Sequence, residues 1–291
     1  MPDHPPPPLA WITGAAGLIG HHLLHSPALP AHRWSPRPLY RVELDLLDFD
    51  AVDQLFHREQ PALIIHCAAI SRSPDCQQNP ALARRINLDA TTHLAALAKD
   101  IPLLFFSSDL VFDGRQGAYR ETDPPHPLSV YGETKAEAER VVLRNPRHTV
   151  IRTSLNAGQS PSGNRAFNEE MIDAWQQGRT LRLFTDEFRC PIPAISTARA
   201  VWELADHDAR GLFHVAGAER LSRWEIGRIV AQAHPHLHPL MEPASLTEYS
   251  GAPRPADTSL NCSRAQALLS FPLPSFRTWP EAFGSRSPKS E

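Results

Sequence analysis

The sequence predicts an α/β protein built on a doubly wound parallel sheet, with a smaller α/β domain toward its C-terminus. Three features lead there. Short apolar runs alternate with helical patterns through the first half of the chain, a glycine-rich turn follows the first run, and beyond residue 155 the alternation loosens.

Leu9–Ile12 reads as a brief buried strand and the apolar stretch Leu18–Leu24 as the helix after the turn. Arg33–Ser35 is expected to hold a second short strand. Residues 50–59 form an amphipathic helix with Val52, Leu55 and Phe56 on one face. The run ALIIHCAA (62–69) is continuously apolar, as a strand covered on both faces requires. Residues 80–99 keep a helical period through Leu82, Ile86, Leu94 and Leu97. Ile101–Phe106 follows as a strand, Glu133–Leu143 as a helix and Thr149–Thr153 as a strand. Later come a helix over 168–177, a strand over 180–184, a helix over 196–206 and a strand over 211–215. The last helix, 222–233, starts with Ser222 and Glu225 at capping-box spacing. Residues 9–155, joined by about 194–216, are expected to form the first domain, and 156–193 with 217–285 the second.

Composition limits the function. The 291 residues carry 29 Lys and Arg against 32 Asp and Glu, so there is no basic excess to hold a nucleic acid. Four cysteines, Cys67, Cys76, Cys190 and Cys262, lie far apart without a CxxC pair, which fits a reducing compartment and argues against a zinc ribbon. The opening MPDHPPPPLA has neither a basic nor an apolar stretch of signal-peptide type, and no run approaches the ~20 apolar residues of a membrane span. A cytoplasmic protein without membrane or nucleic-acid partners is expected. Proline, 29 in all, punctuates the elements, and disorder is expected only for residues 1–8 and 285–291. The histidines of AHPHLHP are separated by prolines and lack an acidic or cysteine neighbour, so no metal site is read there. Cys76 is read as a buried or helix-start thiol.

The turn Thr13-Gly-Ala-Ala-Gly-Leu-Ile-Gly20 joins the first strand to the first helix. Gly14 suits a tight bend, Gly17 leaves room for a pyrophosphate against the backbone, and Gly20 allows close packing of the helix. With the helix N-terminus behind it, the turn reads as a dinucleotide site on a Rossmann-type sheet.

Tyr131-Gly-Glu-Thr-Lys135 opens a helix, and four helical residues turn about 400° and rise about 6 Å, so phenol and ammonium share a face. A lysine there is expected to favour the phenolate and make Tyr131 a usable acid or base. Ser107, Ser108 and Asp109 leave the carboxyl end of a buried strand, where open α/β sheets bind ligands. Ser108 is placed to donate to a carbonyl oxygen that gains charge.

These motifs, with SSDLVFDG, ETDPPHPLSVYGETKAEAE, IRTS, HCAAISRSPDCQQNP, RINLDAT, FTDEFRCPIPAIS and APRPADTSLNCS, resemble the extended short-chain dehydrogenases/reductases, in particular the dTDP-4-dehydrorhamnose reductase branch, over roughly residues 9–270. The resemblance implies that Gly17, Leu18 and Ile19 hold the pyrophosphate, Asp45 and Leu46 flank the adenine, and Ala68, Ala69 and Ser71 line the cofactor path. Lys135 would bind the nicotinamide ribose, and Asn87, in a helix kink, would support Lys135. Ser108 and Asp109 would face the reacting end of the sugar. Leu155 stands where the family often carries an aromatic residue, and Arg254 would reach a substrate phosphate.

Arg33 and Arg37, with no acid before Glu43, favour NADP at the end of the second strand, with NAD also open. The implied activity is NAD(P)H-dependent reduction of a nucleotide-activated keto sugar. Dehydration is disfavoured because Leu110 stands where dehydratases carry a glutamate. Two alternatives remain: a sugar-nucleotide epimerase of the same superfamily, and a non-catalytic dinucleotide-binding subunit resembling the regulatory subunit of methionine adenosyltransferase. The family often dimerises, but no interface is singled out by the sequence.

Overall fold

The structure, a computed structural model, describes residues 6–30 and 33–279. In chain order the elements begin with β1 (Leu9–Thr13), α1 (Leu18–Leu24), β2 (Ser35–Leu39), α2 (Phe49–Glu59) and β3 (Leu63–His66). Next come α3 (Ser73–Gln78), α4 (Pro80–Arg84), a π-helical turn (Arg85–Asp89), α5 (Ala90–Leu97), β4 (Leu103–Ser108), α6 (Val130–Val142) and β5 (Thr149–Thr153). The C-terminal part holds β6 (Asn156–Ala157), α7 (Phe167–Gln176), β7 (Leu181–Phe184), β8 (Phe188–Arg189), β9 (Ile192–Pro193) and α8 (Ala194–Asp206). It continues through β10 (Gly211–Val215), β11 (Leu221–Ser222), α9 (Arg223–Ala233), β12 (Met241–Ala244) and α10 (Ser263–Gln266).

Six strands form one all-parallel sheet in the order β10-β5-β4-β3-β1-β2. Its inner strands β1, β3 and β4 are largely apolar on both faces because helices cover both. Ala10, Ile12, Leu63, Ile65, Leu104 and Phe106 pack with Leu23 of α1 and with Val201 and Trp202 of α8. Their alternates Trp11, Ile64, Leu103 and Phe105 pack with Val52 and Leu55 of α2, Leu94 of α5 and Val142 of α6. Chain order reverses between β1 and β3, so a crevice opens at their carboxyl ends, the place where such sheets bind ligands. This is a Rossmann-type doubly wound fold.

β10 and α8 return to this sheet from late in the chain. β10 pairs with β5, and the Trp202 indole N–H donates to the Leu23 carbonyl at 3.0 Å. The rest of the C-terminal part has its own apolar cluster, in which Phe167, Met171 and Trp175 of α7 meet Ile226, Ile229 and Val230 of α9. Ser222 and Glu225 form the capping box read from the sequence.

Two local expectations are corrected. The second strand is Ser35–Leu39, not Arg33–Ser35. It contains Pro36 and Pro38, which an edge strand bonded only to β1 tolerates, because one row of its backbone groups needs no partner. The helix expected over 80–99 is interrupted at 85–89 by the π turn, and its last turn is a 3₁₀ turn. Of the N-terminal residues expected to be disordered, Pro8 is tied in by its carbonyl, which accepts the Ser35 N–H at 2.9 Å. Residues 1–5 and 285–291 lie outside the described residues.

Candidate active site

The glycine turn lies at the carboxyl end of β1. Gly14 has φ +65°, and a Cβ on it would meet the Ala68 nitrogen at 2.7 Å, so the turn presses directly on the segment after β3. Gly20 has a role different from the one expected: a Cβ there would meet the Gly14 carbonyl oxygen at 2.4 Å, so it packs against the turn itself rather than the sheet. Gly17 caps α1 without any side-chain hydrogen bond, which leaves the first N–H groups of the helix, at Leu18 and Ile19, without a side-chain acceptor. Leu18 is buried against Ala166 and Ala194, and Ile19 packs on the core.

Ala68 and Ala69 are half-buried and Ser71 exposed on the loop beyond β3. Asp45 and Leu46 lie on the β2–α2 connection. Asp45 accepts the Leu47 N–H at 3.0 Å, and Leu46 packs on the core. Ser107 is buried at the end of β4, and its hydroxyl has no partner among the described residues.

Ser129 caps α6 by accepting the Gly132 N–H at 3.2 Å, which fixes the first turn that carries Tyr131. Gly132 is required there, since a Cβ would meet the Leu110 carbonyl oxygen at 2.2 Å. Tyr131, Lys135 and Ser108 are all buried. The Lys135 ammonium donates to the Phe106 carbonyl at 2.7 Å and sits 4.5 Å from the centre of the Phe105 ring. Burial draws its pKa down from 10.5 to about 8. The phenol departs from expectation. Burial raises the Tyr131 pKa well above the ordinary 10, with a hydrogen bond to Ser108 pulling the other way and the Asp109 charge adding to the rise. Lys135 points to a backbone carbonyl, so desolvation governs the phenol and Tyr131 is a protonated O–H at neutral pH.

Asp109 is a buried junction rather than a free carboxylate. It accepts from Ser108 Oγ at 3.1 Å, from Ser154 Oγ at 2.8 Å and from Thr258 Oγ1 at 2.8 Å, with the Arg189 guanidinium 3.7 Å away. Arg189 in turn meets Glu187 at 3.1 Å, and Glu187 receives Arg254 through two bonds of 2.6 and 2.9 Å. Arg254 is therefore already paired with a buried carboxylate, and stands over the Phe184 and Tyr249 rings. Leu155 packs on the C-terminal apolar cluster.

Asn87 lies in the π turn, fully buried, but it does not bond Lys135. Its amide exchanges two hydrogen bonds with the Ile70 backbone, at 2.9 and 3.1 Å, and donates to Thr134 Oγ1 at 3.1 Å, next to Lys135 on α6. Cys76 is buried in α3 with its thiol on the Ile70 carbonyl, and burial pushes its pKa up to about 11.

The two arginines expected to select the cofactor are not at the strand's carboxyl end. Arg33 precedes β2 and is paired with Asp206 and Asp208 at the end of α8. Arg37 is inside β2, paired with Glu43 and Glu59. The position they were expected to fill belongs to Arg41, two residues beyond β2, exposed and with its side chain free of hydrogen bonds and ion pairs among the described residues. Sequence reasoning missed it because the strand was placed too early. It also missed Glu187 and Arg189, whose links to Arg254 and Asp109 are distant in sequence.

A Rossmann sheet with a strand-end serine and a Tyr-x-x-x-Lys helix defines an extended short-chain dehydrogenase/reductase. The family model described as the RmlD substrate binding domain matches residues 10–284, and the chain belongs to that family. Its sequence is 33% identical over 279 residues to methionine adenosyltransferase 2 subunit beta of Bos taurus, covering 88% of this chain and 81% of that one. It is 30% identical over 282 residues to a probable low-salt glycan biosynthesis reductase of Haloferax volcanii, covering 91% of this chain and 93% of the relative. Among solved structures it resembles the dTDP-4-dehydrorhamnose reductase of Bacillus anthracis in complex with NADP, with a TM-score of 0.86 at 24% identity, over 95% of this chain and 98% of that one.

Proposed function

We propose that this protein is an NADP(H)-dependent reductase of a nucleotide-activated keto sugar. The observation that carries the reading is the meeting of Ser108, Tyr131 and Lys135 at the carboxyl end of β4, buried together beside the β1–β3 crevice. The chain's own residues suit a dinucleotide. A Cβ at Gly17 would press on the Gly14 carbonyl oxygen at 3.1 Å, so the backbone stays bare there. Among the described residues the Ser107 hydroxyl is buried without a partner, and the Lys135 ammonium makes one hydrogen bond, leaving two further N–H groups. Gly17, Leu18 and Ile19 would hold the pyrophosphate, with Lys135 and Ser107 on the nicotinamide ribose.

When bound, NADPH supplies a hydride to the keto carbon. Ser108 would turn its hydroxyl hydrogen from Asp109 to the keto oxygen and so orient it. Tyr131, held as a neutral phenol by burial, gives that oxygen the proton the reduction consumes. Leu110 stands where an eliminating enzyme would need a base, which favours simple reduction over dehydration. The NADP complex of the Bacillus anthracis neighbour supports the choice of cofactor, and Arg41, just beyond β2, would meet its 2′-phosphate.

A second reading rests on the likeness to methionine adenosyltransferase 2 subunit beta: a dinucleotide-binding regulatory subunit without turnover. NADPH oxidation followed by absorbance against dTDP-4-keto sugars separates the two. Oxidation with a keto sugar supports the reductase. Tight NADPH binding without oxidation across the panel, together with binding to a methionine adenosyltransferase catalytic subunit, supports the regulatory reading.

A further inference from the structure

His66, the last residue of β3, is completely buried and lies outside the reaction described above. Its Nδ1 is 2.6 Å from Thr13 Oγ1 and its Nε2 is 3.0 Å from Thr91 Oγ1. The neighbours fix its tautomer. The single hydroxyl hydrogen of Thr91 is given to the Asn87 carbonyl at 2.8 Å, so Thr91 accepts from His66 and Nε2 carries the proton. Nδ1 is then bare and accepts the Thr13 hydroxyl, whose oxygen receives the Ala68 N–H at 3.2 Å. Burial, with the charge of Lys135 second, pushes the imidazole down to about 3, so it stays neutral.

Donors therefore run one way, from the Ala68 N–H through Thr13, His66 and Thr91 to the Asn87 carbonyl in the π turn. From the Asn87 side chain the same direction continues to Thr134 Oγ1, which gives its hydrogen to the Tyr131 carbonyl at 2.8 Å. The segment Ala68–Ile70 is thus held at both ends, at Ala68 by Thr13 and at Ile70 by Asn87, while the far end of the chain reaches the helix that carries Tyr131 and Lys135.

We propose that His66 is a positioning residue that, through Thr13 and Thr91, sets the Ala68–Ile70 segment against α6 and so keeps the dinucleotide seat in register with Tyr131 and Lys135. This rests on the cofactor reading given above. The Thr91 hydroxyl closes on the carbonyl of Asn87 inside the π turn, so the imidazole and the π turn belong to one hydrogen-bonded unit.

Two measurements on the whole chain test this. In the wild type, ¹⁵N-edited NMR of the histidine rings should show His66 as the Nε2–H tautomer, unchanged between pH 5 and about 9. The Nδ1–H tautomer, or titration in that range, overturns the network. NADPH affinity is then compared for the wild type, Thr91→Val and Thr91→Ser, with thermal melting as the check on folding. Thr91→Val keeps the shape and removes the hydroxyl, and should weaken NADPH about tenfold, whereas Thr91→Ser should bind within about twofold of the wild type. A merely structural role would lower the melting temperature of Thr91→Val without this pattern. Equal affinity in all three, or equal loss in both variants, overturns the proposal. Failure of the wild type to bind NADPH overturns the dinucleotide reading, and the role assigned to His66 in seating the dinucleotide falls with it.

Discussion

The guanidinium of Arg152 on β5 grips the carboxylate of Glu139 on α6 through bonds of 2.9 and 2.7 Å, with both side chains almost wholly buried. Glu139 lies one helical turn beyond Lys135, so this pair fixes the helix that presents the phenol and the ammonium. The Arg152 guanidinium also lies 4.8 Å from the centre of the Phe112 ring.

Removing one partner of such a pair strands a charge in the core, whereas removing both need not be costly. Arg152→Leu should destabilise the fold by about 3–5 kcal/mol. The double variant Arg152→Leu with Glu139→Leu should recover most of that loss. Urea unfolding of the two variants checks it, and equal losses would mean that packing rather than charge dominates.

Tyr131→Phe removes one hydroxyl and little volume. Turnover should fall by about 10²–10⁴ while NADPH affinity stays within a few-fold. Steady-state kinetics with a keto-sugar substrate, beside a fluorescence titration of NADPH, measure both sides. Unchanged turnover would take Tyr131 out of the mechanism.

Lys135 sets a pH dependence. Its folded pKa, about 8, is below its ordinary 10.5, so between those values the unfolded chain holds the extra proton and stability rises with pH. This contribution is complete above 10.5 and is lost as pH falls through about 8. The urea midpoint should therefore climb more between pH 8 and about 9.5 in the wild type than in Lys135→Met. NADPH affinity should move the opposite way and weaken as the ammonium is lost above about 8. A midpoint that is flat or identical in both proteins contradicts the assignment.

Arg41→Ala should weaken NADPH about tenfold and leave NADH nearly unchanged, because only the 2′-phosphate differs between them. Arg33→Ala should alter neither, since its exposed pairs with Asp206 and Asp208 are of the kind that contribute little. Isothermal titration with both dinucleotides decides between the two arginines.

Much of the sheet could be read from the sequence, for a physical reason. β1, β3 and β4 are central, so they appear as largely apolar runs, and α1, β5 and β10 fall on the residues expected. β2 hid its position because its prolines read as turn signals, and only the edge location, a tertiary fact, makes them acceptable. The spacing of Leu82, Ile86 and Leu94 reads as one helix, and only the family resemblance placed a kink at Asn87, where the π turn lies. In the site, Tyr131 and Lys135 were legible from their spacing on one helix. Their electrostatics were not, since burial, which no spacing reveals, turned the Tyr131 shift upward. Asp109 and Arg254 were expected to face substrate, but their partners Ser154, Thr258 and Glu187 come from elsewhere in the chain, which local sequence does not show.

The most direct test of the reductase account is a single assay: the purified protein with NADPH and dTDP-4-keto sugars, followed at 340 nm. Keto-sugar-dependent oxidation is expected in the wild type and is lost in Tyr131→Phe. NADPH that binds and stays reduced with every keto sugar offered would contradict it.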